Sequence, residues 1–194
     1  MIASKPVRLV SLAIVALIIV VGCRGILSGV AFGGNLLDGH GGHTTGTNAK
    51  HEGGTRTQGE VAYVLDGDTV QVSTSAGRSV RVRFLGISAP EIPHPGKAGE
   101  CYGYPSTRHL KKLLPVGTHV TLVSDPTQDN TDVYGRVLRY VQARRRDIGA
   151  AQIRAGAAAS RDSSNPVTRH ASYVQLEGQA RDRGRGMWTA CASH

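Results

Sequence analysis

Three short segments rich in β-branched and aromatic residues follow one another near the middle of the chain, and they constrain its fold more than any other feature. They are residues 61–65, 70–74 and 78–84. The last two alternate between apolar and polar residues with a period of two, which is typical of half-buried strands. Asp66-Gly67 and Ala76-Gly77 supply turn signals between the segments. The pattern therefore predicts a three-stranded meander.

Two later segments, residues 118–123 and 137–141, have the same character. With the meander they make five strands, which is enough to close a small barrel. We therefore expect an α+β domain that is mainly β.

Three helices are predicted around this sheet. The first has Ser106 as a candidate N-cap and stops before Pro115. The second covers residues 148–155 and the third residues 168–183, and each is followed by a glycine, a common residue just after a helix.

The N-terminal residues 1–23 are predicted to be a signal peptide or a membrane anchor. Lys5 and Arg8 precede an apolar run over residues 9–21, which is short for a membrane span and suits the central region of a signal peptide. The residues that end at Cys23 resemble the lipobox of bacterial lipoproteins, and an uncleaved anchor is the competing interpretation. Either way we expect an exported protein, secreted or anchored to the outer face of the cell membrane.

Residues 24–59 are predicted to form a flexible linker, followed by a folded domain over residues 60–191. Within it, residues 33–59 are rich in Gly, His, Thr and Asn, with Leu36 and Leu37 as their only large apolar residues, so burial cannot offset the entropy of ordering this segment. Its histidines lie on a Gly-rich coil that fixes no metal-binding geometry.

The charge balance favours a polyanionic partner. The chain has 23 Lys and Arg residues against 14 Asp and Glu residues, a formal net charge of +9. Nucleic acid and an anionic membrane surface both fit this charge. Nothing in the sequence indicates a protein partner.

Five side chains near the predicted barrel suit phosphodiester chemistry. Asp66 and Asp68 flank a glycine at a strand end, where a carboxylate can face a hard cation. Arg83 and Arg136 offer planar guanidinium groups that suit a phosphate. Glu91, just after a proline, is a candidate general base. Together they supply what phosphodiester cleavage needs: charge neutralisation, a base, and help for the leaving oxygen.

The order of these motifs resembles the staphylococcal nuclease (thermonuclease) family over residues 60–188. The matching features, in chain order, are Val-Leu-Asp-Gly-Asp-Thr at 64–69, Arg83 with an apolar run into Pro90-Glu91, Asp-Val-Tyr-Gly-Arg at 132–136, a late helix with a Gly stop, and Trp188. The resemblance implies a five-stranded OB-type barrel with three helices. It also implies calcium-dependent hydrolysis of DNA or RNA to products with 3′-phosphates.

The resemblance implies a role for each matching residue. Arg83 and Arg136 would bind the scissile phosphate, with Arg136 also assisting the leaving oxygen. Glu91 would be the general base, and Tyr134 would line the nucleotide site.

The implied Ca²⁺ site differs from the family pattern at one position. Asp68 would be a ligand, Asp66 a supporting carboxylate, and the backbone carbonyl of Ala89 would face the metal. Ser88 stands where the family usually has a second aspartate, which leaves a neutral oxygen in place of a charged one. We therefore expect a lower affinity for the metal.

Three other features follow from the same resemblance or from cysteine usage. Residues 160–166 lack the tyrosines that hold a base in the family, so we expect weaker stacking. Glu177 matches a structural glutamate and is assigned to packing. Cys101 and Cys191 form an even pair once Cys23 is set aside, and we hypothesise a disulfide between them.

Three functions are consistent with these sequence features. The leading hypothesis is an exported, metal-dependent nuclease that acts on DNA or RNA. The alternative is a nucleic-acid-binding module of the OB type that has lost turnover because of Ser88. The third is an envelope protein whose basic face meets anionic lipid, which differs from the others by binding lipid rather than DNA.

Overall fold

The structure is a computed structural model, and it describes residues 54–192. The predicted signal peptide or anchor at residues 1–23, and the predicted linker up to residue 53, lie outside the described residues.

The described chain contains eight strands and four helices. The strands are β1 (Arg56–Val64), β2 (Thr69–Thr74), β3 (Ser79–Phe84), β4 (Ile87–Ser88), β5 (His119–Val123), β6 (Val137–Ala143), β7 (Arg146–Asp147) and β8 (Ala159–Ser160). The helices are α1 (Gly103–Leu113), α2 (Ile148–Arg154), α3 (His170–Asp182) and α4 (Met187–Ala190). All five predicted strands and all three predicted helices are present, and α4 is an additional short helix.

The main sheet closes into a barrel. Its strands are ordered β3-β2-β1-β5-β6-β7, and β3 also pairs with β6, which joins the two sides of the sheet. The closing pair is parallel, whereas the other neighbours in the sheet are antiparallel. The predicted mainly β, five-stranded barrel is therefore confirmed, with β4 and β8 forming a separate two-stranded sheet.

Strand β1 begins earlier than the predicted domain boundary at Glu60. Arg56 pairs with Val123 and Glu60 with His119, so residues 56–59 are already part of the barrel. The sequence predicts a linker here because the side chains are mostly polar. The hydrogen bonds between β1 and β5 are made by backbone groups, so they form whatever the side chains are.

The core fills the barrel with aliphatic side chains from alternate strand positions. Among the completely buried ones are those of Val61, Val70, Val72, Val82, Val120, Leu122 and Val141. Helix α1 adds Leu110, the residue just after it adds Leu114, and α3 adds Tyr173. Burial of each such side chain stabilises the folded state by about 1.5–3 kcal/mol relative to full exposure, so this set supplies much of the driving force for folding.

The start of α1 differs from the prediction of a Ser106 cap. The helix begins at Gly103, after Tyr102 in the left-handed conformation with φ 72°. Gly103 lies against the Glu91 backbone, where an added Cβ would come within 2.3 Å of the Glu91 carbonyl oxygen. This close approach fixes the helix start, and Ser106 lies inside the helix, where its hydroxyl donates to the Ala157 carbonyl at 2.6 Å.

A disulfide and a buried glutamate are among the contacts that join the C-terminal helices to the rest of the domain. The predicted Cys101–Cys191 disulfide is present and links the segment before α1 to the end of α4. Glu177 in α3 is buried, accepts a hydrogen bond from the Ser160 backbone at 2.7 Å and pairs with Arg181. These contacts fit the packing role assigned to Glu177.

Between residues 54 and 192, no helix is both long enough and apolar enough to cross a membrane.

Candidate active site

The Asp66–Asp68 turn joins β1 to β2 and is held tightly by its surroundings. The Asp66 carboxylate accepts a hydrogen bond from the Asp68 backbone N–H at 3.0 Å, which closes a side-chain turn. Gly67 has no room for a side chain, because an added Cβ would lie 2.0 Å from the Ser106 hydroxyl and 2.5 Å from the Ala89 Cβ. The glycine therefore lets the backbone of the turn lie close against α1 and the segment that follows β4.

Asp68 is almost completely buried, with 3% of its surface exposed. Its Oδ2 accepts from the Ala89 backbone N–H at 2.8 Å and pairs with an Arg83 Nη at 3.0 Å. Its Oδ1 accepts from the Thr69 hydroxyl at 3.0 Å. Burial raises the pKa of Asp68 to about 6; Arg83 opposes that rise, and the nearby Asp66 adds to it.

Arg83, at the end of β3, is held in place by backbone carbonyls. One Nη donates to Phe84 O at 2.8 Å and to Ile87 O at 2.9 Å. Burial lowers the pKa of Arg83, Asp68 opposes this, and repulsion from Arg161 and Arg136 lowers it further. These arginines thus raise the local positive potential, which favours an anion next to them.

A cleft of about 390 Å³ opens beside these arginines. Arg83, Tyr134, Arg136 and Arg161 all line it. The parallel pairing of β3 with β6 brings Arg83 and Arg136 close together. Val82, just before Arg83, pairs with Val137, just after Arg136. The sheet thus brings together two arginines that are 53 positions apart in sequence.

Arg136 is oriented by an aspartate in its own loop. The Arg136 Nε donates to Asp132 Oδ2 at 2.7 Å, and its backbone N–H donates to Asp132 Oδ1 at 2.9 Å. Within residues 54–192 the terminal Nη groups of Arg136 have no hydrogen-bond partner, so they remain available to a phosphate in the cleft. Tyr134 is 80% exposed, and the Arg136 guanidinium carbon lies 5.3 Å from its ring centroid.

Arg161 is a cleft residue to which the sequence interpretation assigned no role. It follows β8, which pairs with β4, and its backbone N–H donates to Gly86 O at 2.9 Å. A single arginine in a serine-rich segment carries no motif. Only the tertiary pairing of β8 with β4 places it beside Arg83.

The remaining predicted site residues lie at the end of β4 and on the segment that follows it. Ser88 is exposed and pairs with Ala159, while Ala89 is buried against Asp68. Glu91 is half-buried, and its backbone is fixed by Glu100, which donates to Glu91 O at 2.9 Å and accepts from Glu91 N at 3.1 Å. Within residues 54–192 the Glu91 carboxylate has no hydrogen bond, and it does not line the cleft with the arginines.

The donor set around Asp68 suits a hard cation in its chemistry. It includes the carboxylates of Asp66 and Asp68. The segment whose Ala89 backbone N–H donates to Asp68 also carries the Ser88 hydroxyl and the Ala89 carbonyl, and all four are oxygen ligands of the kind that Ca²⁺ prefers. The described residues contain no group of three His, Cys, Asp or Glu side chains that could hold a metal. A cation here would therefore depend on neutral oxygens and water beside the two carboxylates.

Comparison with known proteins agrees with this geometry. The model of the family described as "Staphylococcal nuclease homologue" matches residues 81–190. This segment contains Arg83, Glu91 and Arg136 and begins after the Asp66–Asp68 turn.

Three relatives illustrate the range of similar proteins. An "Uncharacterized endonuclease" of Escherichia coli is 36% identical over 134 residues, which is 68% of this chain and 76% of that protein. "Probable endonuclease LCL3" of Paracoccidioides brasiliensis (strain Pb03) is 31% identical over 123 residues, 57% of this chain and 34% of that protein. "Staphylococcal nuclease domain-containing protein 1" of Drosophila melanogaster is 29% identical over 145 residues, 70% of this chain and 16% of that protein.

The match spans about a third of the length of the Paracoccidioides relatives. The family match covers more than half of the chain, and the barrel, the paired arginines and the Asp-Gly-Asp turn agree with it. The chain belongs to the staphylococcal nuclease homologue family.

Proposed function

We propose that this protein is an exported, metal-dependent endonuclease that hydrolyses phosphodiester bonds of DNA or RNA and leaves 3′-phosphates. The observation that carries the proposal is the convergence of Arg83 and Arg136 on one cleft, with the buried Asp68 carboxylate in contact with Arg83. Two guanidinium groups at a cleft, beside a carboxylate, suit the binding of a phosphodiester and the stabilisation of the charge that develops when it is attacked.

The residues of the chain divide the work as follows. Arg83 is rigidly held and binds the non-bridging oxygens of the phosphate. Arg136, with free Nη groups, stabilises the charge that develops on the phosphate and on the leaving oxygen. Glu91 does not line the cleft, and its carboxylate, which has no hydrogen bond within residues 54–192, is the proposed acceptor of the proton from the attacking water. Tyr134 lies against the nucleotide beside Arg136.

The proposed metal is Ca²⁺, held by Asp66, Asp68, the Ser88 hydroxyl and the Ala89 carbonyl. When bound, it would supply positive charge to neutralise the phosphate oxygens. Two acidic ligands rather than three imply weak binding.

Two features support export. The apolar run at residues 9–21 suits a signal peptide or an anchor, and the Cys101–Cys191 disulfide suits an oxidising compartment. A secreted protein and one tethered to the outer face of the membrane through its N-terminus are both compatible with these features.

The test is cleavage of labelled DNA and RNA by the full chain in Ca²⁺ and in EDTA. We expect cleavage only in Ca²⁺, and products that a polymerase extends only after phosphatase treatment. Glu91→Gln and Arg136→Ala should each lower turnover by about 10²-fold or more. Arg78→Gln, which removes an exposed arginine in the β2–β3 turn, should leave turnover unchanged.

A nucleic-acid-binding module without turnover is the second candidate. Ser88 in place of a carboxylate favours it, because the cation site loses one charged ligand. Binding of DNA or RNA with no cleavage in Ca²⁺ by the wild type, and cleavage by Ser88→Asp, would establish this candidate and exclude the nuclease.

A further inference from the structure

A second cluster of basic side chains lies at the far end of β6 from the candidate active site. It surrounds a groove of about 450 Å³. We call it the β6–β7 groove; its lining side chains are those of Arg56, Gln58, His119, Val120, Thr121, Gln142, Arg144 and Arg145. It shares no lining residue with the catalytic cleft.

The turn that carries two of these arginines is conformationally unfavourable. Arg144 and Arg145 join β6 to β7 and have φ values of 48° and 63°. Two-residue hairpins of this type favour Asn-Gly or Asp-Gly, because both central residues need positive φ. The left-handed conformation destabilises the folded state by roughly 1–2 kcal/mol for each arginine. Local stability therefore does not explain two consecutive arginines at this position.

The floor of the groove is a row of hydrogen-bonding side chains across three strands. Gln58 of β1 pairs with Thr121 of β5, and Thr121 pairs with Gln142 of β6. The Thr121 hydroxyl donates to the Gln58 amide oxygen at 3.0 Å, and the Arg56 guanidinium donates to the Gln142 amide oxygen at 2.8 Å. Within residues 54–192 neither amide NH₂ group has an acceptor, so both can donate to an acceptor-rich ligand.

The arginines of the groove form no ion pair with a carboxylate in the described part of the chain. Within residues 54–192, neither Arg144 nor Arg145 is in an ion pair, and no acidic residue lines the groove. Two acidic residues lie nearby by strand register, Glu60 opposite His119 and Asp147 opposite Gln142. Asp147 is already engaged by Arg169 at 2.6 Å. Glu60 lies at the His119 end of the groove and, within residues 54–192, is in no ion pair with a groove arginine.

The position of the groove relative to the cleft sets a length requirement. Arg136 lies just before β6 and Arg144 just after it. At about 3.3 Å per strand residue, these two positions are up to about 26 Å apart. A DNA strand rises about 3.4 Å per nucleotide in a duplex, so about eight nucleotides cover this distance.

We propose that the β6–β7 groove is a second binding site for the sugar-phosphate backbone of a nucleic acid, engaged only by polynucleotides long enough to reach it from the cleft. The proposal rests on the proposed function, since it takes the same molecule to be the substrate. Arginines bind the phosphates, and the amide row donates to phosphate and sugar oxygens.

The composition of the groove favours nucleic acid over a lipid surface. A lipid-binding surface combines cations with exposed apolar side chains that enter the membrane interface. No large exposed apolar side chain of the described residues lines this groove, and its one aliphatic residue, Val120, is buried.

The test is the binding of fluorescent single-stranded DNA by the full chain in EDTA, where the proposed cleavage does not interfere. We compare Arg56→Gln/Arg144→Gln/Arg145→Gln with a control that removes three exposed cations from α1, Arg108→Gln/Lys111→Gln/Lys112→Gln. For a 30-nucleotide strand, the groove variant should bind at least 10-fold more weakly, and its slope of log K against log salt should fall by about 2. A dinucleotide should bind both variants and the wild type equally.

Arg144→Asn/Arg145→Gly keeps the experiment decisive if the triple variant folds poorly. This substitution suits the turn, so we expect a higher melting temperature together with weaker binding of the long strand. Undiminished binding of the long strand by this variant, or an equal loss in the α1 control, would overturn the proposal.

Two further measurements separate the proposal from its alternatives. Vesicles with anionic phospholipid test the lipid interpretation: if the groove variant loses vesicle binding but keeps DNA binding, the groove is a lipid site and the proposal is wrong. Because binding is measured in EDTA, it does not depend on cleavage. If the protein binds long DNA through the groove but never cuts it, the proposed nuclease activity is wrong and the proposed binding site stands.

Discussion

The Gln152 side chain of α2 donates a 2.6 Å hydrogen bond to the backbone carbonyl of Gly67, the central residue of the Asp66–Asp68 turn. Gln152 is completely buried, and its amide oxygen is hydrogen-bonded to the His109 ring of α1. One amide therefore ties two helices to the turn that carries the candidate metal ligands. A polar side chain in such a place is stable only because both ends of its amide have partners.

Replacing Gln152 should loosen the turn. Gln152→Leu leaves the Gly67 carbonyl and the His109 ring without their partner, which costs about 1–3 kcal/mol. We expect a lower free energy of unfolding and, at temperatures where the variant is fully folded, a higher Kd for Ca²⁺ measured by calorimetry.

The matched control for this prediction is Gln175→Leu, at an exposed position of α3. It should change neither quantity. A Gln152→Leu variant that is less stable yet binds Ca²⁺ with the wild-type Kd would show that Gln152 supports the fold without positioning the turn.

Ser88→Asp should strengthen the cation site. Ser88 is exposed and lies one residue before Ala89, whose backbone N–H contacts Asp68, so an aspartate adds a charged oxygen close to the proposed site. A further carboxylate raises Ca²⁺ affinity, and we expect a Kd for Ca²⁺ at least 10-fold lower. A larger rise in melting temperature on addition of Ca²⁺ provides a second readout. Ser75→Asp, in the exposed β2–β3 turn, adds the same charge elsewhere, and an equal gain there would contradict the assignment.

The barrel was predictable because its strands are local patterns. Period-two alternation and glycine turns identify β2 and β3 from their own residues. The polar first half of β1 was missed because its partner β5 is about 60 residues away, and only backbone pairing holds the two together.

The candidate site was predictable only in part, for the same reason. Asp68, Arg83 and Arg136 were found because they lie in motifs whose order identifies a family. Arg161 and Gln152 belong to no motif, and their roles arise from contacts between distant segments: β8 with β4, and α2 with the Asp66–Asp68 turn.

Reduction of the Cys101–Cys191 disulfide should destabilise the protein and impair the Glu91 segment. The bond closes a loop with a sequence separation of 90 residues, and such bonds contribute about 2–4 kcal/mol. Cys101 directly follows Glu100, which holds the Glu91 backbone through two hydrogen bonds. We expect a reductant to lower both the melting temperature and the turnover of the wild type.

The control for the disulfide is Cys101→Ser/Cys191→Ser. This variant should match the reduced wild type and should not respond to reductant. A wild type whose melting temperature and turnover are unchanged by complete reduction would show that the bond contributes to neither.

Asp125 should make the stability of the domain depend on acid pH. Burial alone would raise the pKa of its carboxyl, but hydrogen bonds from the Tyr140 hydroxyl, the Thr127 backbone and the Thr168 backbone outweigh burial and lower the pKa to about 2. Because the folded pKa lies below the unfolded value of about 3.9, the carboxylate stabilises the protein above that pH, and the stabilisation is lost as the pH falls toward 2. The shift corresponds to about 2 kcal/mol.

Asp125→Asn tests this linkage, because an amide cannot titrate and presents an NH₂ group to the same donors. Urea unfolding at pH 7, 5 and 3 should show that the variant is less stable than the wild type by about 2 kcal/mol at pH 7, with a smaller difference at pH 3. Asp182→Asn, at an exposed position near the end of α3, should follow the wild type at every pH. A constant difference between Asp125→Asn and the wild type across this range would mean that the carboxylate acts through its shape and not its charge. The tie between Asp125, Tyr140 and Thr168 would then be a neutral packing contact between β6 and the segment that leads into α3.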